Sequence, residues 1–119
     1  MLRYNVKENV GPNGITLQAG QHVYNAIYPE LSKKNEVELD FADVRIVASP
    51  FLNAAVGQLL RDLSSDDLNR YLKIVNLSSV SRPIIKRVIS NAKEYYGSES
   101  FREDVDAMLK RESSNDDSN

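Results

Sequence analysis

A chain of 119 residues is long enough to bury one hydrophobic core and too short for two, and 41% hydrophobic with 27% charged residues excludes disorder over most of its length. A formal net charge of −2, with no predicted face dense in lysine and arginine, argues against nucleic acid as a partner. Cysteine is absent, which removes disulfides, thiolate metal sites and a thiol nucleophile, and with no signal-like apolar run at the start and no stretch of about 18 apolar residues, a cytoplasmic protein that does not span a membrane is expected.

Leu2 to Lys7 alternates Leu, Tyr and Val with Arg, Asn and Lys, the period of a half-buried strand. Gly11-Pro12-Asn13-Gly14 reads as a turn, after which Ile15 to Leu17 is expected to pair back on the first strand. From Gln18 to about Lys34, the residues Ala19, Val23, Ala26, Ile27 and Leu31 write an apolar stripe at helical spacing, with Pro29 expected to kink the helix or end it near Tyr28. Residues 36–41 alternate Val37, Leu39 and Phe41 with acidic residues and read as a central strand, followed by a second apolar patch at Val44, Ile46 and Val47.

Ser49-Pro50 then opens a helix predicted to run to about Asp62, with Ser49 as N-cap and Pro50 in the first turn. Its inward stripe is Leu52, Ala55, Val56, Leu59 and Leu60. Ser64 with Asp67 resembles a capping box and begins a short helix through Leu68 and Tyr71, and Leu72, Ile74, Val75 and Leu77 make a further strand. Ser79 or Ser81 caps the next helix, which buries Ile85, Val88, Ile89 and Ala92 and stops at Gly97. Ser100 and Glu103 box a last amphipathic helix over 98–110, striped by Phe101, Val105, Met108 and Leu109, and residues 111–119 read as a disordered polar tail. Strands alternating with helices require crossover connections, hence an α/β domain with a mixed or largely parallel sheet of about four strands and helices packed mainly on one face.

The run Val37-Glu38-Leu39-Asp40-Phe41-Ala42-Asp43-Val44-Arg45-Ile46-Val47-Ala48-Ser49-Pro50-Phe51-Leu52 resembles the signature of STAS domains, the sulfate transporter and anti-sigma factor antagonist type. There a strand ending in Leu-Asp leads through a valine to Asp-Ser-Ser-Gly-Leu at a helix start. Lys73-Ile74-Val75-Asn76-Leu77 and the Pro83 to Tyr96 helix resemble the later strand and helix of the same domains, so the likeness covers roughly residues 15–97 and gives a STAS-like domain over 1–97. It is nearest to the stand-alone bacterial STAS-like domains of unknown function.

The resemblance implies a regulatory adaptor that binds a partner protein, a histidine-kinase-like ATPase or an anti-sigma-type regulator. It also implies Ser49 as phosphoacceptor, since a phosphate there would present about two negative charges to a docked surface. Ala48, Pro50 and Phe51 depart from the usual Asp-Ser-Ser-Gly loop, and a plain cap is the competing role for Ser49. The outer side of the Ser49 helix, with Phe51, Asn53, Ala54, Gln58 and Arg61, is the expected partner-binding face, unless Phe51 tucks under an adjacent loop.

An enzyme is not expected. His22, the single histidine, stands at helical spacing on a surface position, and there is no Gly-x-Ser-x-Gly elbow, phosphate-cradling loop or dinucleotide fingerprint. The pairs Asp40/Asp43 and Asp66/Asp67 lack the pattern of a calcium loop, so neither metal nor cofactor is expected. The alternative function is an accessory domain for homo-oligomeric or larger-complex assembly through the 98–110 stripe. A small-ligand or nucleotide sensor is a third reading.

Overall fold

The computed structural model describes residues 1–97. The helix expected over 98–110 and the tail at 111–119 lie outside the described residues. Three short strands, β1 (Leu2–Asn5), β3 (Val37–Asp40) and β5 (Leu72–Val75), form one sheet in the order β1-β3-β5, parallel throughout. The strand expected at 36–41 is therefore the central one. The register places Leu2, Val37 and Leu72 in one row, and Tyr4, Leu39 and Ile74 in another. Val37 and Leu39 are buried while Glu38 and Asp40 are half-exposed, which is the period-two pattern turned into an inside and an outside. On the outer face Arg3, Glu38 and Lys73 lie in register, with Arg3 Nε 3.6 Å from Glu38 Oε2.

The helical layer occupies the inner side. It comprises α1 (Val6–Val10), α2 (Leu17–Ser32), α3 (Ser49–Ala55), α4 (Ser65–Tyr71) and α5 (Arg82–Gly97), with a 3-10 turn at Gly57–Arg61 after α3. Helix α2 packs on β1 and β3 and against α3, while α5 closes over α3 and the 3-10 turn. The core they enclose is built from Ile27, Leu39, Phe41, Phe51, Leu52 and Leu59 among others, all at most 1% exposed.

Several local expectations change. Leu2 to Lys7 is a strand only to Asn5, whose side-chain oxygen accepts a hydrogen bond from the Glu8 N–H (2.9 Å) and so caps α1. The second strand is not Ile15–Leu17 folded back on β1: it is β2 (Asn13–Gly14), and it pairs in parallel with β4 (Ile46–Val47). Leu17 belongs to α2, because Thr16 is extended and its hydroxyl caps that helix at Ala19 N (3.0 Å). Pro29 does not end α2, which continues to Ser32. The ring costs the helix one hydrogen bond, from a missing N–H to the carbonyl of the exposed Asn25, where water can serve instead. Lys34, at φ 63°, closes α2 with Lys34 N–H on Leu31 O and Asn35 N–H on Glu30 O.

The single helix expected from Ser49 to Asp62 is two pieces. Glycine is a weak helix former, and at Gly57 a Cβ would stand 3.3 Å from Val88 Cγ1 of α5, so close packing there coincides with the change to a tighter turn. Downstream the reading fits closely: Ser64 Oγ accepts from Asp67 N (3.1 Å) to start α4, and the carbonyl of Ser81 accepts the Ile85 N–H at the start of α5.

Candidate functional site at the start of the third helix

The two-residue ladder β2–β4 brings the starts of α2 and α3 side by side. Arg45 N donates to Pro12 O (2.7 Å) and Ala48 N to Gly14 O (2.8 Å), so the chain entering α3 is tied to the chain entering α2. Helix α3 begins one residue earlier than a Ser49 cap would require. Ala48 is the N-cap, supplies no side-chain hydrogen bond, and accepts the Leu52 N–H with its carbonyl (3.1 Å). Ser49 is thereby the first helical residue, beside Pro50, and both are exposed. The expected cap role for Ser49 is corrected by this geometry.

The expected binding face is corrected as well. Phe51 is fully buried and Ala54 is 6% exposed, so neither can meet a partner. Two glycines explain why. A Cβ at Gly14 would come within 3.1 Å of the Phe51 ring, and a Cβ at Gly20 would collide with the Phe51 carbonyl oxygen and stand 2.9 Å from the Ala54 Cβ. Their bare backbones let β2 and α2 close directly over Phe51, and the aromatic becomes a joint between layers.

Asn53, Gln58 and Arg61 do reach the surface, but not as one face. Asn53 is exposed and lines, with Gly57, Gln58, Asn91 and Tyr95, a shallow groove of about 190 Å³ between α3 and α5. Gln58 turns toward α2, its Nε2 donating to Gln21 Oε1 (3.4 Å), and Gln21 in turn donates to Asn25 Oδ1 (3.0 Å). Arg61 donates from Nη2 to the Tyr24 hydroxyl (3.3 Å) and from Nε to Asp62 (3.2 Å). Burial pushes the Tyr24 hydroxyl above its ordinary range, and the hydrogen bond to Asp62 pushes the Arg61 guanidinium higher still. With Tyr28 stacked on Tyr24 at 5.2 Å, these side chains form a polar and aromatic seam between α2 and the 3-10 turn.

Three large aliphatic residues around the ladder are exposed, two of them (Ile15 and Leu17) read in the sequence as a returning strand and the third (Ile46) as part of an apolar patch. Ile15 is 45% exposed, Leu17 57% and Ile46 52%. They flank the ladder: Ile46 lies opposite the exposed Asn13, Ile15 follows Gly14, and Leu17 begins α2. The signal for Ile46 was its alternation with Val47, which is 5% exposed on the other side of the same two-residue strand.

A second polar feature sits at the carboxyl ends of β3 and β5. Asp40 Oδ1 accepts from Asn76 Nδ2 (2.9 Å) and from the Ala42 N–H (2.9 Å), and these bonds hold its carboxyl below the usual range, with the Asn76 contribution the larger. Asp43 and Asn76 both have positive φ, 62° and 60°. This arrangement knits two strand ends together. His22 is exposed on α2. Among the described residues no three His, Cys, Asp or Glu side chains group as metal ligands, and no helix is long and apolar enough to cross a membrane.

No curated protein and no solved structure matches the chain. A family described as a STAS-like domain of unknown function (DUF4325) matches residues 19–82, from the first turn of α2 through the Ser49 loop and β5 to the start of α5. More than half of the sequence is covered, the matched part holds the central strand and the helix start just described, and the parallel α/β architecture agrees with it: the chain belongs to the STAS-like domain family.

Proposed function

We propose that this STAS-like domain is a non-catalytic regulatory adaptor, and that it docks a partner protein on the surface formed by Ile15, Leu17, Ile46 and Ser49. The observation that carries the reading is the exposure of three large aliphatic side chains around the β2–β4 ladder, which leads into the exposed Ser49, the position that the resemblance to classical STAS domains implies as phosphoacceptor. A small apolar centre rimmed by polar groups is the composition of a protein-binding patch. The partner class is a histidine-kinase-like ATPase or anti-sigma-type regulator, on the resemblance to STAS domains that bind such proteins. Ser49 supplies a hydroxyl open to a kinase, and a phosphate on it would set about two negative charges beside an apolar contact, which weakens docking by desolvation.

The test uses purified histidine-kinase-like ATPases from the same genome, with binding followed by calorimetry and Ser49 followed by mass spectrometry after incubation with ATP. Binding by one of them, weakened at least about tenfold by Ile15→Asp with Ile46→Asp and by Ser49→Asp, is the expected result, since loss of a central apolar contact exceeds about 1.4 kcal/mol. Equal affinity for wild type and the Ile15→Asp/Ile46→Asp variant would discard this surface. Binding without phosphate transfer to Ser49 would leave docking and remove the switch.

A further inference from the structure

Two rows of side chains cross the inner face of the sheet, Leu2–Val37–Leu72 and Tyr4–Leu39–Ile74. At β3 they are closed off from water, with Val37 at 1% and Leu39 at 0% exposed, whereas Leu72 and Ile74 on β5 are only half-buried. These two face an apolar depression of about 90 Å³ between α4, β5 and α5, whose other walls are Leu60, Leu68 and Ile89, with Lys93 at the margin. The inner rows therefore run out at β5 before the space beside them is filled.

The backbone at that edge is turned outward. The Phe41 N–H donates to Val75 O (3.0 Å), so the polar groups of Val75 point toward β3. Alternation along the strand then points the N–H and C=O of Ile74 away from the sheet. A further strand laid against them would stand about 4.8 Å from β5 and carry its inward side chains over the depression, beside Leu72 and Ile74. Its outward side chains would stand beside Lys73. On that face the row Arg3, Glu38, Lys73 alternates in sign, and Glu38 is already paired with Arg3. Both Lys73 and Lys93 are exposed, and among the described residues neither makes an ion pair. A carboxylate in the next place of the row would continue the alternation.

We propose that the outer edge of β5 takes up, as an added strand, an extended segment of a partner protein in which aliphatic and acidic side chains alternate. The aliphatic residues fill the depression against Leu72 and Ile74, and the acidic ones meet Lys73, with Lys93 favouring the same charge at the inner rim. Main-chain hydrogen bonds to Ile74 hold the segment, and the two lysines select it. This edge is independent of the docking surface at Ile15 and Ile46, which is built on β2, β4 and α2.

The test uses the full chain with two blocked octapeptides, one alternating valine with glutamate and the other valine with lysine. Affinity and residue-by-residue amide exchange are followed by nuclear magnetic resonance. Wild type should bind the glutamate peptide at least about tenfold more tightly than the lysine peptide, because like charges side by side at an interface are strongly disfavoured. At saturation, exchange of the Ile74 N–H should slow by about tenfold or more, while the N–H groups of Lys73 and Val75, which already face β3, stay as they were. Lys73→Glu with Lys93→Glu, both at exposed positions, should reverse the preference. No binding of the glutamate peptide at millimolar concentration, equal affinity for the two peptides, or binding that leaves Ile74 exchange unchanged would each overturn the proposal. Protection of Ile74 that grows with protein concentration in the absence of peptide would overturn it too, in favour of a second copy as the added strand.

Discussion

Replacing Gly20 by alanine sets two physical effects against each other at one atom. In the interior of α2 the change should help, because alanine is the better helix former by about 1 kcal/mol. The tertiary cost is larger. The new methyl would collide with the Phe51 carbonyl oxygen and lie 2.9 Å from the Ala54 Cβ, and both belong to α3, so no flexible side chain can swing away. Relief requires α2 and α3 to separate across the joint that covers Phe51, an overpacking cost of about 1–3 kcal/mol. With rigid backbone as the obstacle, the upper end applies, and the net effect is a destabilisation of about 2 kcal/mol, or roughly 10 °C in Tm for a domain of this size. Urea unfolding followed by circular dichroism measures it, with Asn25→Ala, exposed on the same helix, as a reference expected within about 0.5 kcal/mol of wild type. A Gly20→Ala protein more stable than wild type would mean that propensity governs this position and that α2 and α3 do not meet as described.

Phe51→Ala should cost about 3–5 kcal/mol of stability, the range for emptying a buried aromatic site, whereas a partner-facing ring would leave the unfolding midpoint unchanged. Ser64→Ala removes the acceptor for Asp67 N and should cost about 1 kcal/mol in the same assay, with Ser64→Asp retaining most of it. Asp40 gives a pH dependence of defined sign. Its carboxyl is lowered in the folded chain, so its contribution is complete above the ordinary carboxylate range, near pH 4, and is lost as pH falls through the lower native value. Asn76→Ala removes the larger cause, and comparing unfolding midpoints from pH 6 to about pH 2 should show a shallower acid loss in the variant than in wild type. Parallel curves would refute that role for the Asn76 hydrogen bond.

Elements whose signal is local and periodic were legible in the sequence. The 36–41 strand, the stripe of α2 and the cap at Ser64 each follow from side chains within a few residues of one another, and the family resemblance rests on that same stretch. The candidate site was less legible, because its geometry is made by glycines. Phe51 and Leu52 both stand at the start of α3, and helical spacing alone put Phe51 outside. What buries it is the missing side chain at Gly14 and Gly20, one on a two-residue strand and the other on a different helix. Nothing near Phe51 in the sequence records that approach. Ile15 was expected in a strand folded back on the first, and Ile46 in an undivided apolar patch, because the pairing of Asn13–Gly14 with Ile46–Val47 joins residues far apart in the sequence. Ser49 shifted by a single position, and that step turned an expected cap into an exposed hydroxyl beside the proposed docking patch.

The cationic ends of the row that crosses the sheet bear on how many copies can share one solution. Among the described residues β1 and β5 are the outermost strands, and each carries a basic side chain, Arg3 and Lys73, at an exposed position. If one molecule tried to extend its sheet with the β1 of a neighbour laid alongside its own β5 in the same alignment, the guanidinium would stand next to the ammonium, with no carboxylate between them as Glu38 provides inside a single copy. Growth into a ribbon is opposed at every added unit, and a parallel sheet of only three strands can remain discrete at high concentration.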